Sequence, residues 1–358
     1  QILNREEKVP HEDSRLKDIA QKLSDSQYLH KKIEEQERFD YLKAYHKNIV
    51  PPKKIIIPSY LKVACILLLL IGSGTLLYIW QKQYPPQYYN ETYFADIHPG
   101  KQQALLITHD GRKVKLNRDS GQIIRQNETI IQIDTTGLHY NPSSQVPTGI
   151  IYNTLVVPRG GEFFLTLSDG TKVWLNSETC LEYPLAFGEH SREVRLSGEA
   201  YFEVTKDEAR CFNVIMEGAT IEVMGTSFNA SCYPGEGQCW AVLESGKINL
   251  RTDHGVAAVN VGECASYDIA SGKVTVETVD LKYFTSWRYG TFYFYNTPLS
   301  EIVQKLGRWY DVHFKFADES LRDVCFSGAA LRSKPIDFML ELLASTQSLK
   351  FDIQSDGM

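Results

Sequence analysis

Five acidic residues in the middle of the chain are the side chains best suited to acid–base chemistry. They are Glu162, Asp169, Glu182, Glu199 and Glu203. Glycoside hydrolysis needs two carboxyl groups held at a fixed separation across a sugar. Asp169 precedes Gly170, so a tight turn explains its presence. The alternation of polar and apolar residues around Glu199 and Glu203 predicts that both side chains face outward or form a satisfied pair. No catalytic pair stands out among these residues.

Other catalytic and cofactor motifs are missing from the sequence. It has no Gly-x-Ser-x-Gly elbow, phosphate-binding loop, His-Glu-x-x-His or kinase signature. The seven cysteines form no Cys-x-x-Cys pair and have no histidine at metal-ligand spacing, so we expect no metal site and no cofactor. Two interpretations of the cysteines stay open: a disulfide such as Cys232 with Cys239, or small buried apolar residues. The residue content favours a protein that is not an enzyme.

Charge and composition exclude one class of partner and indicate a fold class. The 358 residues contain 38 Lys and Arg against 44 Asp and Glu, a formal net charge of -6. Nucleic-acid binding favours a basic surface, so we expect no direct contact with nucleic acid. The 20 Tyr, 16 Phe and 24 Gly are typical of half-buried strands joined by tight turns. The composition therefore predicts a mainly β protein.

One apolar run predicts a single transmembrane helix at residues 61–80. From Val63 to Trp80 the run contains no acidic or basic side chain, and at about 1.5 Å per residue it is long enough to cross a hydrocarbon core. A polar segment of roughly sixty residues precedes the run, which argues against a cleaved signal peptide. Lysines crowd the preceding flank, whereas the following flank has Lys82 and then none until Lys101. The amino terminus is therefore predicted to lie in the cytoplasm.

Residues 1–54 are predicted to form a short cytoplasmic segment with one or two amphipathic helices, because apolar residues recur at helical spacing. Such helices are too short to build a large core alone. Two interpretations fit: a partner receives the apolar face, or the segment is a solvated stalk. The chain begins with Gln1 and not with methionine, so we expect this segment to be incomplete.

Residues 81–98 are a linker to an all-β domain predicted over residues 99–280, hereafter the β domain. Two of its segments nearly repeat each other around Asp110–Gly111 and Asp169–Gly170, and each is predicted to form a β-hairpin with a two-residue Asp-Gly turn. Further short strands, separated by glycine and charged residues, follow. The pattern predicts a sandwich or an irregular solenoid.

Residues 286–354, hereafter the terminal module, have a different pattern. The pattern is strand, helix, strand, repeated once, and it predicts a small α+β module of two β-α-β units. Pro298 and Pro335 lie near the two helix starts, where a missing N–H costs little.

Several of these segments closely resemble the FecR-type anti-sigma factors. The resemblance is carried by NTLVVPRGGEFFLTLSDGTKVWLNSETCLEYP, REVRLSGEAYFEV and VMGTSFNA. WRYGTFYFYNTPLSEIVQKLGRWYDVHF resembles the carboxy-terminal region of the same family as found in Bacteroidetes. The terminal module also resembles the STN-type signalling modules of secretins and TonB-dependent receptors. In all, the resemblance spans residues 97–353.

This resemblance implies a transmembrane anti-sigma factor of the bacterial inner membrane, with most of the chain in the periplasm. It implies two partners, an extracytoplasmic-function sigma factor in the cytoplasm and the periplasmic signalling domain of a TonB-dependent outer-membrane receptor. Sigma binding would then fall to the cytoplasmic face around Phe39, Leu42 and Tyr45. The alternative is a periplasmic carbohydrate-binding or scaffold protein anchored in the same membrane.

Two further sets of candidate residues lie in the periplasmic part. The candidate partner contacts are four aromatic residues, Phe292, Phe294, Trp309 and Tyr310. The alternative for these rings is that they fill the core of the terminal module. Gly225–Thr226 resembles a step at which some FecR-like proteins are thought to break their own chain, by attack of the threonine hydroxyl on the preceding carbonyl. A Gly-Thr pair at a bulge needs no such role.

Overall fold

The structure is a computed structural model that describes residues 97–117, 122–126, 129–134, 137–141, 150–346 and 349–351. The predicted cytoplasmic segment, the predicted transmembrane helix and most of the linker lie outside these residues. Within the described ranges, no helix is long and apolar enough to cross a membrane.

Short strands dominate the described residues. They are β1 Lys101–Ile107, β2 Lys113–Asn117, β3 Gln122–Gln126, β4 Thr129–Asp134, β5 Gly137–Asn141, β6 Tyr152–Val157, β7 Gly161–Thr166, β8 Lys172–Leu175, β9 Thr179–Pro184, β10 Arg192–Glu203, β11 Phe212–Met216, β12 Ala219–Val223, β13 Ser227–Cys232, β14 Gln238–Ser245, β15 Ile248–Thr252, β16 Gly255–Val259, β17 Glu263–Asp268, β18 Val274–Thr278, β19 Thr291–Pro298 and β20 Cys325–Leu331. The prediction of a mainly β chain is confirmed.

The first eighteen strands form two sheets that share β10. The first sheet has the order β2-β1-β6-β9-β10-β11-β12-β15-β16, with only the β10–β11 pair parallel. The second has the order β3-β4-β5-β7-β8-β10-β13-β14-β17-β18, with only the β5–β7 pair parallel. A short parallel pairing of β1 with β7 also links the sheets.

Strand β10 changes sheets at Gly198. Its first half pairs with β9 and β11, and its second half pairs with β8 and β13. Gly198 has a φ of 113°, and a Cβ there would lie 2.6 Å from the Cα of Thr179. The corner therefore needs a residue without a side chain.

Side chains from both sheets meet in one continuous core. Along β6, β11 and β12 every second residue is buried, as a half-buried strand requires. Phe202 of β10 stacks on Phe228 of β13, with ring centres 5.1 Å apart and planes at 17°. Two layers around a shared core fit the sandwich form of the prediction.

Both hairpins form as predicted, but each connection is longer than the predicted two-residue Asp-Gly turn, because the N–H groups of Gly111 and Gly170 donate to the carbonyls of Thr108 and Leu167. In the first hairpin Ile107 pairs with Lys113, and in the second Thr166 pairs with Lys172. The turn glycines, Gly111 and Gly170, have φ values of 81° and 85°. Such positive φ values are accessible to glycine at little cost, which explains why both turns contain it.

A disulfide joins Cys232 to Cys239, where β13 turns into β14. This outcome confirms one of the two interpretations of the cysteines. Among the described residues the remaining cysteines, Cys180, Cys211, Cys264 and Cys325, are free.

The terminal module contains two strands and two main helices. Helix α1 (Leu281–Thr285) and a 3₁₀ turn (Ser286–Tyr289) lead into β19, which is followed by α2 (Leu299–Tyr310), a second 3₁₀ turn (Glu319–Asp323), β20 and α3 (Ile336–Thr346). Strands β19 and β20 form an antiparallel pair.

The prediction of two complete β-α-β units is wrong in one respect. Residues 312–316, where the second strand of the first unit was expected, form no strand, and residues 349–351, the described part of the last expected strand, form none either. In the first of these segments the backbone of Val312 is already bonded: its N–H donates to the Gly307 carbonyl, and its own carbonyl accepts from Arg159. The backbone groups of Val312 therefore pair with the end of α2 and with Arg159 and not with a neighbouring strand.

Candidate functional site

Buried polar side chains concentrate where the β domain contacts the terminal module, a region hereafter called the junction. The β domain contributes β7, β8 and the turn after β8, together with parts of β10 and β13. The module contributes the 3₁₀ turn at Ser286–Tyr289, β19, α2 and the residue that follows β20. Charged groups buried at such a place need partners, so their bonding shows how the two parts are held.

Arg332 is the central residue of the junction and is only 2% exposed. Its Nη1 donates to the Trp287 carbonyl and its Nη2 to Asn176 Oδ1, both over 3.0 Å. Its guanidinium carbon lies 3.6 Å from the centre of the Trp309 ring, and the Trp309 indole N–H donates to the Arg332 carbonyl over 2.8 Å. Arg332 therefore connects the module core with the turn after β8.

Glu162 on β7 completes this arrangement. Its Oε2 lies 3.4 Å from Nη1 of Arg332. Burial raises the pKa of the Glu162 carboxyl, and the Arg332 guanidinium opposes that rise. Burial also lowers the pKa of Arg332, with Glu162 the largest opposing influence. Each group thus favours the charged form of the other.

A small cavity of about 40 Å³ lies inside the junction, and Arg332 is among its lining residues. The Nε of Arg332 is buried and has no acceptor among the described residues. The cavity is large enough for one water molecule, which is the usual partner of such a group.

Arg159 forms a second set of contacts between the two parts. It donates to Glu178 Oε2 over 3.0 Å and to Asp311 Oδ1 over 3.1 Å. Its Nη2 donates to the carbonyls of Gly307 and Val312, over 2.6 and 2.9 Å. One arginine of the β domain therefore binds two carbonyl groups at and just after the carboxy-terminal end of α2, where a helix favours a cation.

Glu199 forms the third set of contacts. Its two oxygens accept from Asn176 Nδ2 and Asn229 Nδ2, each over 2.8 Å. Asn229 also donates to the Phe284 carbonyl of α1 over 2.7 Å. The carboxylate is therefore satisfied, as one of the sequence interpretations expected.

The other four acidic candidates are each paired with an arginine. Glu162 is paired with Arg332, Asp169 with Arg192, Glu182 with Arg195, and Glu203 with Arg288. The Asp169–Arg192 pair is buried, with 2.8 Å between Oδ2 and Nη1. These bonds give each of the five acidic candidates a structural role. Among the described residues, no group of three or more His, Cys, Asp or Glu could hold a metal ion.

The four aromatic candidates for partner contact lie in the core of the terminal module. They are Phe292, Phe294, Trp309 and Tyr310, between 3% and 6% exposed. The rings of Phe292 and Phe294 stack with centres 6.0 Å apart, and the Tyr310 hydroxyl donates to the Lys334 carbonyl over 2.6 Å. Buried rings of this kind offer no surface to a partner, so the structure shows the core-filling alternative instead.

The Gly225–Thr226 step lies between β12 and β13. Thr226 is buried, and its hydroxyl donates to the Lys247 carbonyl over 3.0 Å. A Cβ on Gly225 would lie 2.8 Å from the Cα of Lys206, so close packing accounts for the glycine. The pairing of β13 with β14 shifts register between Ser227 and Phe228. This irregularity is the bulge that would explain a Gly-Thr pair without chain breakage. Chain breakage at this step stays a prediction.

The remaining sequence candidates, Phe39, Leu42 and Tyr45, lie outside the described residues. Their assignment to sigma binding therefore also stays a prediction.

Comparison with known proteins assigns the family. The model of the FecR protein matches residues 153–249, and the model of the FecR carboxy-terminal region matches residues 291–358. The two matches cover the β domain on both sides of β10 and nearly the whole terminal module. The chain belongs to the FecR-type anti-sigma factors.

Solved structures support the assignment of this FecR-type chain. Two crystal structures, at 1.65 and 2.50 Å resolution, contain a protein of Parabacteroides distasonis ATCC 8503 that is provisionally described as an anti-sigma factor. Each is 26% identical to this chain, with a TM-score of 0.53. The matches cover 56% and 57% of this chain and 95% of each of those chains. No curated protein matches the chain.

The sequence of this FecR-type chain did not reveal three arginines of the junction, Arg159, Arg308 and Arg332. Arg308 lies 3.7 Å from the centre of the Tyr233 ring and is paired with Glu178 and Glu236. Nothing in the local sequence marked Arg332, because a charged residue directly after a strand is usually exposed. The partners themselves are far away in the sequence and could not be read from it.

Proposed function

We propose that this FecR-type chain is a transmembrane anti-sigma factor that relays a signal across the inner membrane. Its input is the periplasmic signalling domain of a TonB-dependent outer-membrane receptor, and its output is the state of an extracytoplasmic-function sigma factor. The observation that carries the proposal is the pair of FecR family matches, at residues 153–249 and 291–358. The likeness to the Parabacteroides structures supports the anti-sigma role.

The proposed topology follows from the sequence. Residues 1–54 lie in the cytoplasm, residues 61–80 cross the membrane, and residues 81–98 link the span to the periplasmic β domain and terminal module. The uncharged run from Val63 to Trp80 and the lysine-rich flank before it support this order.

Binding of sigma is proposed for the predicted cytoplasmic helix that contains Phe39, Leu42 and Tyr45. Receptor binding is proposed for the exposed surface of the periplasmic part, since the aromatic core of the terminal module is buried. Signal transfer is proposed to occur by protein–protein interaction, without chemistry on a small molecule.

The first experiment is recovery of the tagged full-length chain from its own membranes, with mass spectrometry of the proteins that remain bound. The proposal expects both a sigma factor and a TonB-dependent receptor. Recovery of neither from membranes that contain the intact chain refutes the proposal.

A set of variants tests the cytoplasmic contact. The triple variant Phe39→Ala, Leu42→Ala and Tyr45→Ala is expected to lose the sigma factor and keep the receptor. Glu37→Ala is the matched control, because a residue two positions before Phe39 falls on the opposite side of a helix. Retention of sigma by the triple variant at the wild-type level contradicts the assigned contact.

A further inference from the structure

The small sheet of the terminal module has an open edge along β20. Strand β20 pairs with β19 on one side, and among the described residues no strand pairs with its other side. The exposed residues of β20 are Cys325, Ser327, Gly328, Ala329 and Leu331. An open edge presents unpaired N–H and carbonyl groups, which the backbone of a further strand can bind. The partner that fits this edge is therefore an extended strand.

One hydrogen bond at the end of β20 shows which backbone groups face the open edge. The Arg332 N–H donates to the Gly290 carbonyl over 2.9 Å, one position beyond the last pair of the β19–β20 ladder. Residues of an antiparallel pair alternate between bonded and non-bonded positions. Counted back from Arg332, Gly328 occupies a position bonded to β19. The N–H and carbonyl groups of Ser327 and Ala329 therefore point away from β19, toward the open edge.

The edge of β20 lacks the features that protect open edges in natural proteins. Charged side chains and proline are the usual protection, and β20 contains neither. Two strands at the ends of the large sheets do have exposed charges, Lys113 and Lys115 on β2 and Glu277 on β18. Strand β16 is also uncharged, but it lies beside β17 and β18 of the other sheet. The edge of β20 is thus both open and suited to pairing.

Strand β20 is complementary to itself when two copies meet in antiparallel order. Gly328 is its middle residue, so a twofold axis at Gly328 pairs the whole strand with its copy. Ser327 of one copy then lies opposite Ala329 of the other, and the free backbone groups of these residues bond each other. Gly328 meets its own copy at a non-bonded position, where Cα atoms are about 4.5 Å apart. A Cβ on Gly328 would have no atom within 4 Å, so the inner face is open there.

The charges beyond the two ends of β20 also favour the antiparallel order. Asp323 lies shortly before the strand and Lys334 shortly after it, and both are exposed. Antiparallel pairing brings the acidic end of one strand to the basic end of the other. Parallel pairing would place like charges side by side, which is unfavourable.

We propose that β20 pairs antiparallel with β20 of a second copy of this chain, with the twofold axis at Gly328. The two small sheets then join into one sheet of four strands. The proposal concerns self-association of the periplasmic part and does not depend on the identity of the sigma factor or of the receptor.

Cysteine cross-linking of the full-length chain in its own membranes tests the register. Gly328→Cys is combined with Cys325→Ser, and the membranes are treated with a mild oxidant and separated on a non-reducing gel. In the proposed register the new thiol faces its own copy across the axis, at a Cα separation that suits a disulfide. We expect a cross-linked species of twice the chain mass, about tenfold more abundant than in the control.

The wild-type chain is the matched control, because its exposed Cys325 lies on the same strand. In the proposed register Cys325 lies opposite Leu331 of the second copy, so the two Cys325 residues are about 20 Å apart and do not cross-link. The other free thiols are common to both chains. Equal cross-linking of the two chains, or none in Gly328→Cys, overturns the proposal. A product of another mass also overturns it and shows that a different protein occupies the edge.

A proline variant tests the edge without a new thiol. Ala329→Pro removes an N–H that faces the open edge and leaves the bonds to β19 in place. In sedimentation of the purified full-length chain, the wild type is expected to form a dimer and Ala329→Pro to remain a monomer with unchanged circular dichroism. A wild type that stays monomeric at every concentration, or a folded Ala329→Pro that still dimerises, refutes the proposal. If Ala329→Pro is unfolded, the cross-linking result decides.

Discussion

Replacement of Arg332 by alanine is predicted to destabilise the attachment of the terminal module to the β domain. The side chain is 2% exposed and reaches both parts of the junction. Its loss removes the bonds to the Trp287 carbonyl and to Asn176 Oδ1, and it leaves Glu162 without its cation. Both acceptors then lose their charged donor, and an unmade bond at a largely buried site costs more than a bond is worth when made.

The expected loss is about 3–4 kcal/mol in the free energy of unfolding. Two hydrogen bonds from a charged donor contribute about 1.5–3 kcal/mol each, and removal of one partner from a buried pair costs about 3–5 kcal/mol. We take a value in the lower part of that range because the Glu162 side chain is 33% exposed and water can solvate its carboxylate.

Urea unfolding of the full-length chain, followed by circular dichroism, measures the loss. A urea slope of about 3 kcal/mol/M converts the expected loss into a midpoint shift of about 1 M. Arg251→Ala is the control, since Arg251 pairs with Glu222 on the sheet surface with its side chain 56% exposed, and it is expected to cost under about 1 kcal/mol. Hydrogen exchange is expected to rise first in α2, β19 and α3 of Arg332→Ala. The reasoning is refuted if the two variants shift the midpoint equally, or if exchange rises uniformly over the chain.

Three further predictions concern the β domain and two free thiols, one in each part of the chain. Gly198→Ala is expected to lower the free energy of unfolding, measured by urea titration, by more than about 2 kcal/mol, because alanine is strained at a φ of 113° and its Cβ would meet backbone atoms. Gly111→Ala is the control and is expected to cost less, because no atom lies near that turn glycine. Iodoacetamide at pH 8 is expected to label the exposed Cys325 in the native chain and to label Cys264 only after unfolding. Cys264 is protected because it is buried and because burial raises the pKa of its thiol to about 11. Peptide mapping measures the labelling of each cysteine. Thr226→Val is expected to lower stability by about 1 kcal/mol, since it removes a buried hydroxyl that bonds a backbone carbonyl, whereas an unchanged urea midpoint would show that this bond contributes nothing.

Local chemistry explains what the sequence predicted well. The hairpins at Asp110–Gly111 and Asp169–Gly170 depend on four or five consecutive residues, since the glycine supplies a positive φ and the aspartate accepts local bonds. The Cys232–Cys239 bridge depends on a similarly short separation. Features of this kind are encoded within one segment and can be read from it.

Long-range topology explains what the sequence did not predict. Arg332 and Glu162 are paired, yet nothing in either segment indicates the other. Residues 312–316 have the alternation of a strand but form none, and the Val312 carbonyl accepts instead from Arg159, on a distant turn. The Trp309 ring likewise packs against the guanidinium of Arg332, which belongs to a separate segment. Each of these features requires the positions of strands that only the folded chain brings together.

The chemistry of the junction indicates how specifically the two parts are docked. An apolar contact of the same size would be at least as stable, because burial of a charge such as that of Arg332 is costly even when the charge is paired. A guanidinium that donates to one carbonyl and one amide oxygen and is ion-paired with one carboxylate reaches all three partners in a single orientation, whereas apolar side chains tolerate sliding. Arg159 adds a second fixed point at the end of α2, through bonds to Gly307 and Val312. Two arginine-centred contacts, one from each side of the junction, define both the position and the rotation of the terminal module on the β domain, so we expect these two parts to receive a partner as one rigid body.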